Sequence, residues 1–182
     1  GLLVSGVNAL TGLLVAEDEE GERQAETAYL AFADMLNSRP QTAMGQLVRR
    51  FSLDEFEVKC LLLALVPHAE PRMASLIAKA NSDVFSRNIT VGFALERFCR
   101  HTDERIRRRQ AFLSSGALIK NRLVTLGPMD VGMPDALLSR RFQLSMPTVR
   151  YLMGEEELAD DVAKVARLET PAVSLLNVIL NA

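Results

Sequence analysis

The sequence predicts a mainly α-helical domain that carries a small two-stranded β element near its end. Apolar residues recur at three- and four-residue spacings over much of the first 114 positions. Within them, the wholly apolar run 60–66 fits a helix buried in the centre of a core. Alternating residues occur later, at 117–126 and 141–144, on either side of a loop rich in glycine and proline. Helices should therefore come first and a hairpin after them.

The composition is that of a folded, soluble domain. With 48% hydrophobic and 24% charged residues among 182, the chain can bury a core and is not generally disordered. A net charge of −2 argues against a protein that coats nucleic acid by bulk charge. Cys60 and Cys99 lie in apolar stretches, which predicts buried thiols and a cytoplasmic location. No apolar run is long enough to cross a membrane.

The first 44 residues predict a helical extension. Leu3, Val7, Leu10 and Leu14 fall on one face of a short helix, which should be buried against something. That face either packs on its own domain or mediates self-association through residues 2–16. An acidic run then leads into a second amphipathic helix.

Two capping patterns place the next helices. Thr42 is a candidate N-cap for a helix over 42–50. The sequence Ser-Leu-Asp-Glu at 52–55 has the form of a capping box, in which the serine and the glutamate each satisfy a backbone N–H. It predicts a central helix over 53–66 that stops before Pro67.

The remaining elements complete a winged-helix arrangement. They are predicted as helices at 71–80, 90–100 and 103–114, strands at 117–126 and 141–144, and a last helix at 147–153. Three helices with short joints, followed by a hairpin, form a helix-turn-helix core with a wing. We therefore predict an N-terminal helical extension at 1–44, a winged-helix domain at 45–153, and an acidic linker with a C-terminal extension at 154–182.

Several stretches resemble a known family. They are FSLDEFEVKCLLLALVP at 51–67, EPRM at 70–73, TVGFAL at 90–95, GALI at 116–119 with RLVTL at 122–126, and LSRRFQL at 138–144 with RYLMG at 150–154. In order and spacing they resemble the variant winged-helix domain that precedes the ATPase module in a group of bacterial AAA-family ATPases. The resemblance implies a non-catalytic adaptor or regulatory domain. Its partner would be another protein or the ATPase module of the same polypeptide, and ATP and Mg would bind only to that module, beyond Ala182.

The chain lacks the motifs of common enzymes. Gly127 and Gly132 have the spacing of a phosphate-binding loop, but Met133 and Pro134 stand where lysine and serine or threonine are required. The two histidines have no cysteine or histidine partner at metal-ligand spacing. No G-x-S-x-G nucleophile elbow is present. We expect no enzymatic activity, metal or cofactor in this chain.

One group of basic residues could carry a function. It comprises Arg97, Arg100, Arg105, Arg107, Arg108 and Arg109, with Lys120 and Arg122 on the predicted first strand. Helix 103–114 should present its arginines outward and bury Ile106 and Leu113. The group could be a solvated or internally paired face, a docking surface for a protein, or a contact to nucleic acid.

The predicted DNA-reading helix favours a protein partner. In a DNA-binding winged helix, the third helix enters the major groove. Here that helix would span 90–100, and its exposed residues Glu96, Arg97 and Arg100 include no amide that could read a base. DNA binding stays the alternative.

Overall fold

The computed structural model describes residues 1–16, 18–69, 89–128 and 137–155. Its elements are α1 Leu2–Val15, α2 Glu19–Ser38, α3 Ala43–Phe51, α4 Glu55–Ala69, α5 Val91–Phe98, α6 Thr102–Arg108, a 3₁₀ turn at Arg109–Phe112, α7 Ala117–Lys120, β1 Val124–Leu126, β2 Phe142–Leu144 and α8 Met146–Met153. The predicted mainly α fold with a small antiparallel hairpin is confirmed. The helix predicted at 71–80, most of the glycine-containing loop and the chain after 155 lie outside the described residues.

Helix α4 occupies the centre of the core, as its apolar sequence predicts. Leu61, Leu62, Leu63 and Leu65 are fully buried. The predicted end of this helix at Val66 is wrong, since α4 runs to Ala69 and includes Pro67. Proline removes a single N–H donor from the helix hydrogen bonds, and the described part of α4 continues past it to Ala69.

The capping box of α4 lies two residues later than predicted. The Asp54 N–H donates to Glu57 Oε2 (3.1 Å), and the Glu57 N–H donates to Asp54 Oδ1 (2.9 Å). Ser52 instead ends α3 in the left-handed conformation, with φ of 51°. Because Ser52 closes one helix, Asp54 is left to start the next. Thr42 caps α3 as predicted, by accepting the Gly45 N–H.

The buried carboxyl of this box makes stability depend on pH. Burial raises the pKa of Glu57 above its ordinary value of 4.5, while the Asp54 N–H acts in the opposite direction. A raised pKa in the fold means that this group's contribution is complete at low pH and is lost as pH rises through the folded-state pKa. Glutamine keeps the oxygen that accepts the Asp54 N–H and cannot ionise. The Glu57→Gln variant should therefore gain unfolding free energy over the wild type as pH rises toward neutrality.

Urea unfolding of both proteins across the acid-to-neutral range measures that difference. Glu55→Gln is the matched control, because Glu55 is exposed and pairs with Lys59 (2.6 Å) on the surface of the same turn. Glu55→Gln should lose about 0.2–0.5 kcal/mol, as expected for an i,i+4 ion pair on a helix. A Glu57→Gln difference that stays constant or shrinks as pH rises would contradict the assignment.

The N-terminal helix packs on its own domain. Leu10 and Leu14 of α1 are buried, and the helix lies against α2 and α4. The approach is close at Gly6, where an added Cβ would lie 2.6 Å from the Phe32 ring and 3.0 Å from Leu62. One hydrophobic core runs from α1 to α8. Self-association through residues 2–16 and the three predicted domain ranges stay predictions.

The segment from α6 to β1 departs from the predicted pattern. The helix predicted over 103–114 is the short α6 followed by a 3₁₀ turn. Ile106 and Leu113, predicted to face inward, are 62% and 47% exposed. Helix α6 has no buried residue, and the 3₁₀ residues Ala111 and Phe112 enter the core in place of the predicted pair.

The predicted strand 117–126 is also shorter than expected. Its first part forms α7, and Arg122 takes φ of 53° before β1 begins at Val124. Gly116 precedes α7 at a point where an added Cβ would lie 2.3 Å from the Gln110 carbonyl oxygen and 2.5 Å from that of Ala111. The chain makes a helical turn at Ala117–Lys120, where alternation alone predicted an extended strand.

Candidate interaction site

The helix-turn-helix pair in the described chain consists of α5 and α6. Thr90 caps α5 by accepting the Phe93 N–H (3.1 Å), and residues 99–101 join α5 to α6. A joint of three residues is typical of helix-turn-helix units, whose second helix reads DNA. A reading helix of this pair would be α6. The predicted reading segment 90–100 follows the helix predicted at 71–80, which lies outside the described residues, and it stays a prediction.

Helix α6 has acidic side chains in its first turn, where a DNA-recognition helix needs hydrogen-bond donors. The first turn of a recognition helix contacts base edges, and here it holds Asp103 and Glu104. The Glu104 carboxylate accepts the Arg100 N–H (3.2 Å), so it stays close to the N-terminus of the helix. Carboxylates at this point repel phosphates. The arginines of α6 follow only in its later part.

Arg108 holds α6 to the start of α4. Its guanidinium donates to the Asp54 carboxylate and lies over the Phe56 ring, 5.5 Å from the ring centroid. Phe56 meets Phe112 edge-on at 6.2 Å, and Phe112 packs on Phe142 of β2 at 5.0 Å. Arg108 therefore belongs to the packing that joins α4, α6 and the hairpin.

Three more of the predicted arginines contact their own chain. Arg97 donates to the Leu13 carbonyl at the end of α1. Arg100 pairs with Glu26 of α2 (3.3 Å), where both side chains are exposed, so the pair contributes little to stability. Arg105 Nε donates to the carbonyl of residue 99 (3.3 Å). These contacts support the interpretation of an internally paired face for this part of the group.

The other four basic residues occupy different settings. Arg107 and Lys120 are exposed and have no partner among the described residues, while Arg109 does interact with its surroundings. Lys120 ends α7 and does not lie on a strand. Arg122 precedes β1 and lines the groove described next. The eight residues are thus divided among internal contacts, open solvent and the groove, and a role in binding stays a prediction.

A large apolar groove lies beside β1. Its volume is about 960 Å³, and it is lined by Leu47, Phe51, Phe112, Leu113, Ser114, Ile119, Asn121, Arg122, Leu123, Val124, Thr125, Leu126, Leu137, Arg140, Ser145, Pro147, Thr148 and Tyr151. A second hollow of about 650 Å³ shares three of these residues, Leu47, Phe51 and Tyr151, so the two form one continuous surface. We call it the β1 groove.

Side chains from three elements shape the β1 groove. Leu113 follows the 3₁₀ turn and leaves nearly half of its surface in water. The Tyr151 hydroxyl of α8 donates to Gln46 Oε1 of α3, which fixes the ring between the two hollows. Sequence reasoning missed this site because it placed Leu113 in the core. In the sequence, the residue that could have indicated the groove was Tyr151, a large amphipathic side chain late in the last helix.

The described residues offer few other candidates for a catalytic or metal-binding site. Burial raises the pKa of both free thiols, Cys60 and Cys99, so they stay protonated at neutral pH. Within the ranges given above, no cluster of three histidine, cysteine, aspartate or glutamate side chains could hold a metal ion. None of the helices in those ranges combines the length and apolar character of a membrane span.

Comparison with known proteins agrees with this architecture. A family model described as "Winged helix domain, variant" matches residues 18–166, which is most of the chain. No curated protein and no solved structure matches the chain. The match covers α2 to α8 and includes both the helix-turn-helix pair and the hairpin. The chain belongs to the family of variant winged helix domains.

Proposed function

We propose that this winged helix domain is a non-catalytic adaptor that docks a protein partner, and that it serves an AAA-family ATPase in the cytoplasm. The observation that carries the docking role is the β1 groove, which is wide, apolar and continuous over two hollows. A contiguous exposed apolar surface is a candidate for binding another protein or a ligand. The ATPase part rests on the resemblance of the segments quoted above.

The basic residues support DNA binding less strongly than the β1 groove supports docking of a protein. Several of their guanidinium groups already contact carbonyl or carboxylate oxygens of the same chain. The first turn of α6 carries carboxylates, and base reading normally uses arginine, lysine, asparagine or glutamine. Arg107 is the α6 residue that keeps a free guanidinium in the described structure. This single cation is the observation that keeps DNA as a second candidate.

Photocrosslinking tests the docking role. Benzoylphenylalanine would replace Leu113 in the groove or, as a control, Leu30, which is exposed on α2 away from it. With the parent protein in its own cells, we expect a light-dependent protein adduct at position 113 and none at position 30. Adducts at both positions, no adduct at 113, or an adduct that nuclease removes would overturn the proposal.

DNA binding has a direct test in gel-shift measurements. We expect weak binding of duplex DNA at about 50 mM salt, and no dependence on the four arginines of α6 and the 3₁₀ turn, because few phosphate contacts are available. The variant replaces Arg105, Arg107, Arg108 and Arg109 by glutamine, with circular dichroism to monitor folding. Tight binding that collapses at about 200 mM salt and requires these arginines would favour DNA as the partner.

The chain should bind no nucleotide by itself, because the segment with loop-like glycine spacing lacks the lysine that contacts the β- and γ-phosphates. Titration with a fluorescent ATP analogue in Mg²⁺ should give no saturable signal in the micromolar range. Saturable binding would make the chain a nucleotide-binding protein and contradict the adaptor role. If the proposed link to an ATPase is correct, we expect the parent gene to encode a Walker motif after residue 182.

A further inference from the structure

The described charged residues that line the β1 groove are all arginines. Arg122 and Arg140 line its first hollow, and Arg49 and Arg50 line the second. A neighbouring hollow of about 230 Å³ shares Arg49 with the second. Among the described residues, no aspartate or glutamate lines any of these three hollows. The whole chain has a net charge of −2, so the positive lining is a local feature of this surface.

A polar hollow beside α6 has the opposite arrangement. Its volume is about 260 Å³, and its lining includes Asp54 and Glu57 together with Arg107 and Arg108. The Arg108 guanidinium is already paired with the Asp54 carboxylate. Charges of both signs therefore meet in that hollow, whereas the described lining of the β1 groove holds cations without acidic neighbours.

Three of the groove arginines have no internal ion partner in the described structure. Arg49, Arg50 and Arg122 are exposed, and none of them forms an ion pair or a side-chain hydrogen bond within the described ranges. The Arg50 guanidinium lies over the Phe51 ring, 5.9 Å from the ring centroid, a contact that holds the side chain on the groove wall. The fourth arginine, Arg140, instead donates to a backbone carbonyl (2.9 Å).

The backbone at Arg122 is unusual for an arginine. Its φ of 53° lies in the left-handed region, just after the end of α7. Glycine is the common residue at such a point, because a Cβ is strained there. The Arg122 N–H donates to the Ile119 carbonyl (3.0 Å), and the next N–H donates to the Leu118 carbonyl (3.0 Å), so the turn uses backbone groups. Glycine would serve this turn at least as well, which leaves the arginine side chain available for a contact outside the chain.

The size and the apolar lining of the groove fit a polypeptide. Its first hollow, about 960 Å³, is already at the upper end of small-molecule pockets, and it continues into the second. Leu113 and Tyr151 on its wall leave 47% and 41% of their surface exposed. Apolar side chains of a peptide can cover such a surface, whereas a sugar–phosphate backbone has few apolar groups to bury there. Guanidinium groups beside it pair well with carboxylates.

We propose that the β1 groove binds an acidic segment of the partner protein, in which carboxylates flank apolar residues. The apolar side chains enter the groove, and the carboxylates pair with Arg49, Arg50 and Arg122. This inference rests on the proposed docking function and specifies the chemistry of the partner. Arg122 is a residue that determines specificity for the acidic segment.

Designed peptides test the chemistry of the occupant. The probe is a fluorescein-labelled peptide, Asp-Glu-Leu-Phe-Glu-Asp-Leu-Leu-Asp-Glu, and fluorescence anisotropy with the whole chain measures its binding. One control peptide replaces every acidic residue by lysine, and a second replaces leucine and phenylalanine by serine. We expect the probe to bind and each control to bind at least about tenfold more weakly, since loss of even one charged hydrogen bond has an effect of this size.

The Arg122→Gly variant separates binding from folding. Glycine takes a positive φ without strain, so the urea midpoint should equal or exceed that of the wild type. Affinity for the probe should fall about tenfold, because one guanidinium is lost. Arg23→Gln is the matched control, since Arg23 is exposed on α2 and lines neither hollow, and it should leave probe affinity unchanged. A lower urea midpoint for Arg122→Gly would make Arg122 a structural residue, and unchanged affinity would remove it from the site; either result contradicts the proposal.

Absence of probe binding, or equal binding of either control peptide, would overturn the proposed chemistry. Displacement of the probe by a single-stranded oligonucleotide would identify a nucleic-acid surface instead. A crosslink from position 113 to residues 156–182 of the same chain, or to a second copy, would show that the chain itself occupies the groove. If the Leu113 crosslink to another protein formed without probe binding, the docking function would stand and only this inference would fail. If that crosslink also failed, the docking function itself would be wrong.

Discussion

The Leu62→Ala variant is expected to lose about 3 kcal/mol of unfolding free energy, which lies within the range for leucine-to-alanine changes in a closed core. Leu62 is fully buried in α4. It also faces α1, because a Cβ built on Gly6 would lie 3.0 Å from a Leu62 methyl group. Truncation opens a cavity where α1, α2 and α4 meet, and the close packing at Gly6 limits how far these helices can move in to fill it.

Urea denaturation followed by circular dichroism measures this loss. Leu30→Ala is the matched control, because Leu30 has the same side chain on α2 with 60% of its surface exposed. That change should stay within about 0.5 kcal/mol of the wild type, as surface substitutions usually do. A Leu62→Ala loss no larger than the Leu30→Ala loss would mean that α1 is not seated on α4 as described.

The Gly116→Ala variant should be destabilised by about 3 kcal/mol through overpacking. Gly116 has an ordinary backbone conformation, with φ of −68°, so strain in φ is not the cause. The cause is space, since an added Cβ would lie 2.3 Å from the Gln110 carbonyl oxygen and 2.5 Å from that of Ala111. Both obstacles are backbone atoms, so relief requires α7 to move away from the 3₁₀ turn.

Gly127→Ala is the control for this prediction. A Cβ at Gly127 meets its nearest atoms at 3.6 Å, which is ordinary contact, so that variant should unfold close to the wild type. Wild-type stability for Gly116→Ala would contradict the close approach of α7.

Local sequence signals located most helices but misplaced some of their ends. The cap at Thr42 and the buried run of α4 depend on interactions within a few residues, so pattern alone predicted them. The capping box was misplaced because Ser52 and Asp54 both suit an N-cap. The choice between them was made by the end of α3, where Ser52 takes the left-handed conformation.

The candidate site was much less predictable than the fold. Sequence identified the basic residues but could not say which had partners, and the partners of Arg97, Arg100 and Arg108 lie 84, 74 and 54 positions away. Leu113 was predicted to be buried from its apolar character, whereas the 3₁₀ turn places it on the groove wall. Such errors are expected wherever long-range packing decides the orientation of a side chain.

By itself, the sequence determined that this chain folds as a helical domain with a late hairpin, because helix periodicity, caps and strand alternation are written in neighbouring residues. It also determined the central position of α4, since a helix apolar on all sides has to be enclosed. The tertiary structure alone decided that several arginines are used internally and that an apolar groove lined in part by arginines lies beside β1. The arginine contacts join residues up to 84 positions apart, and the groove lies where α3, α7, α8 and β1 meet. No local pattern encodes how segments so distant in sequence pack together.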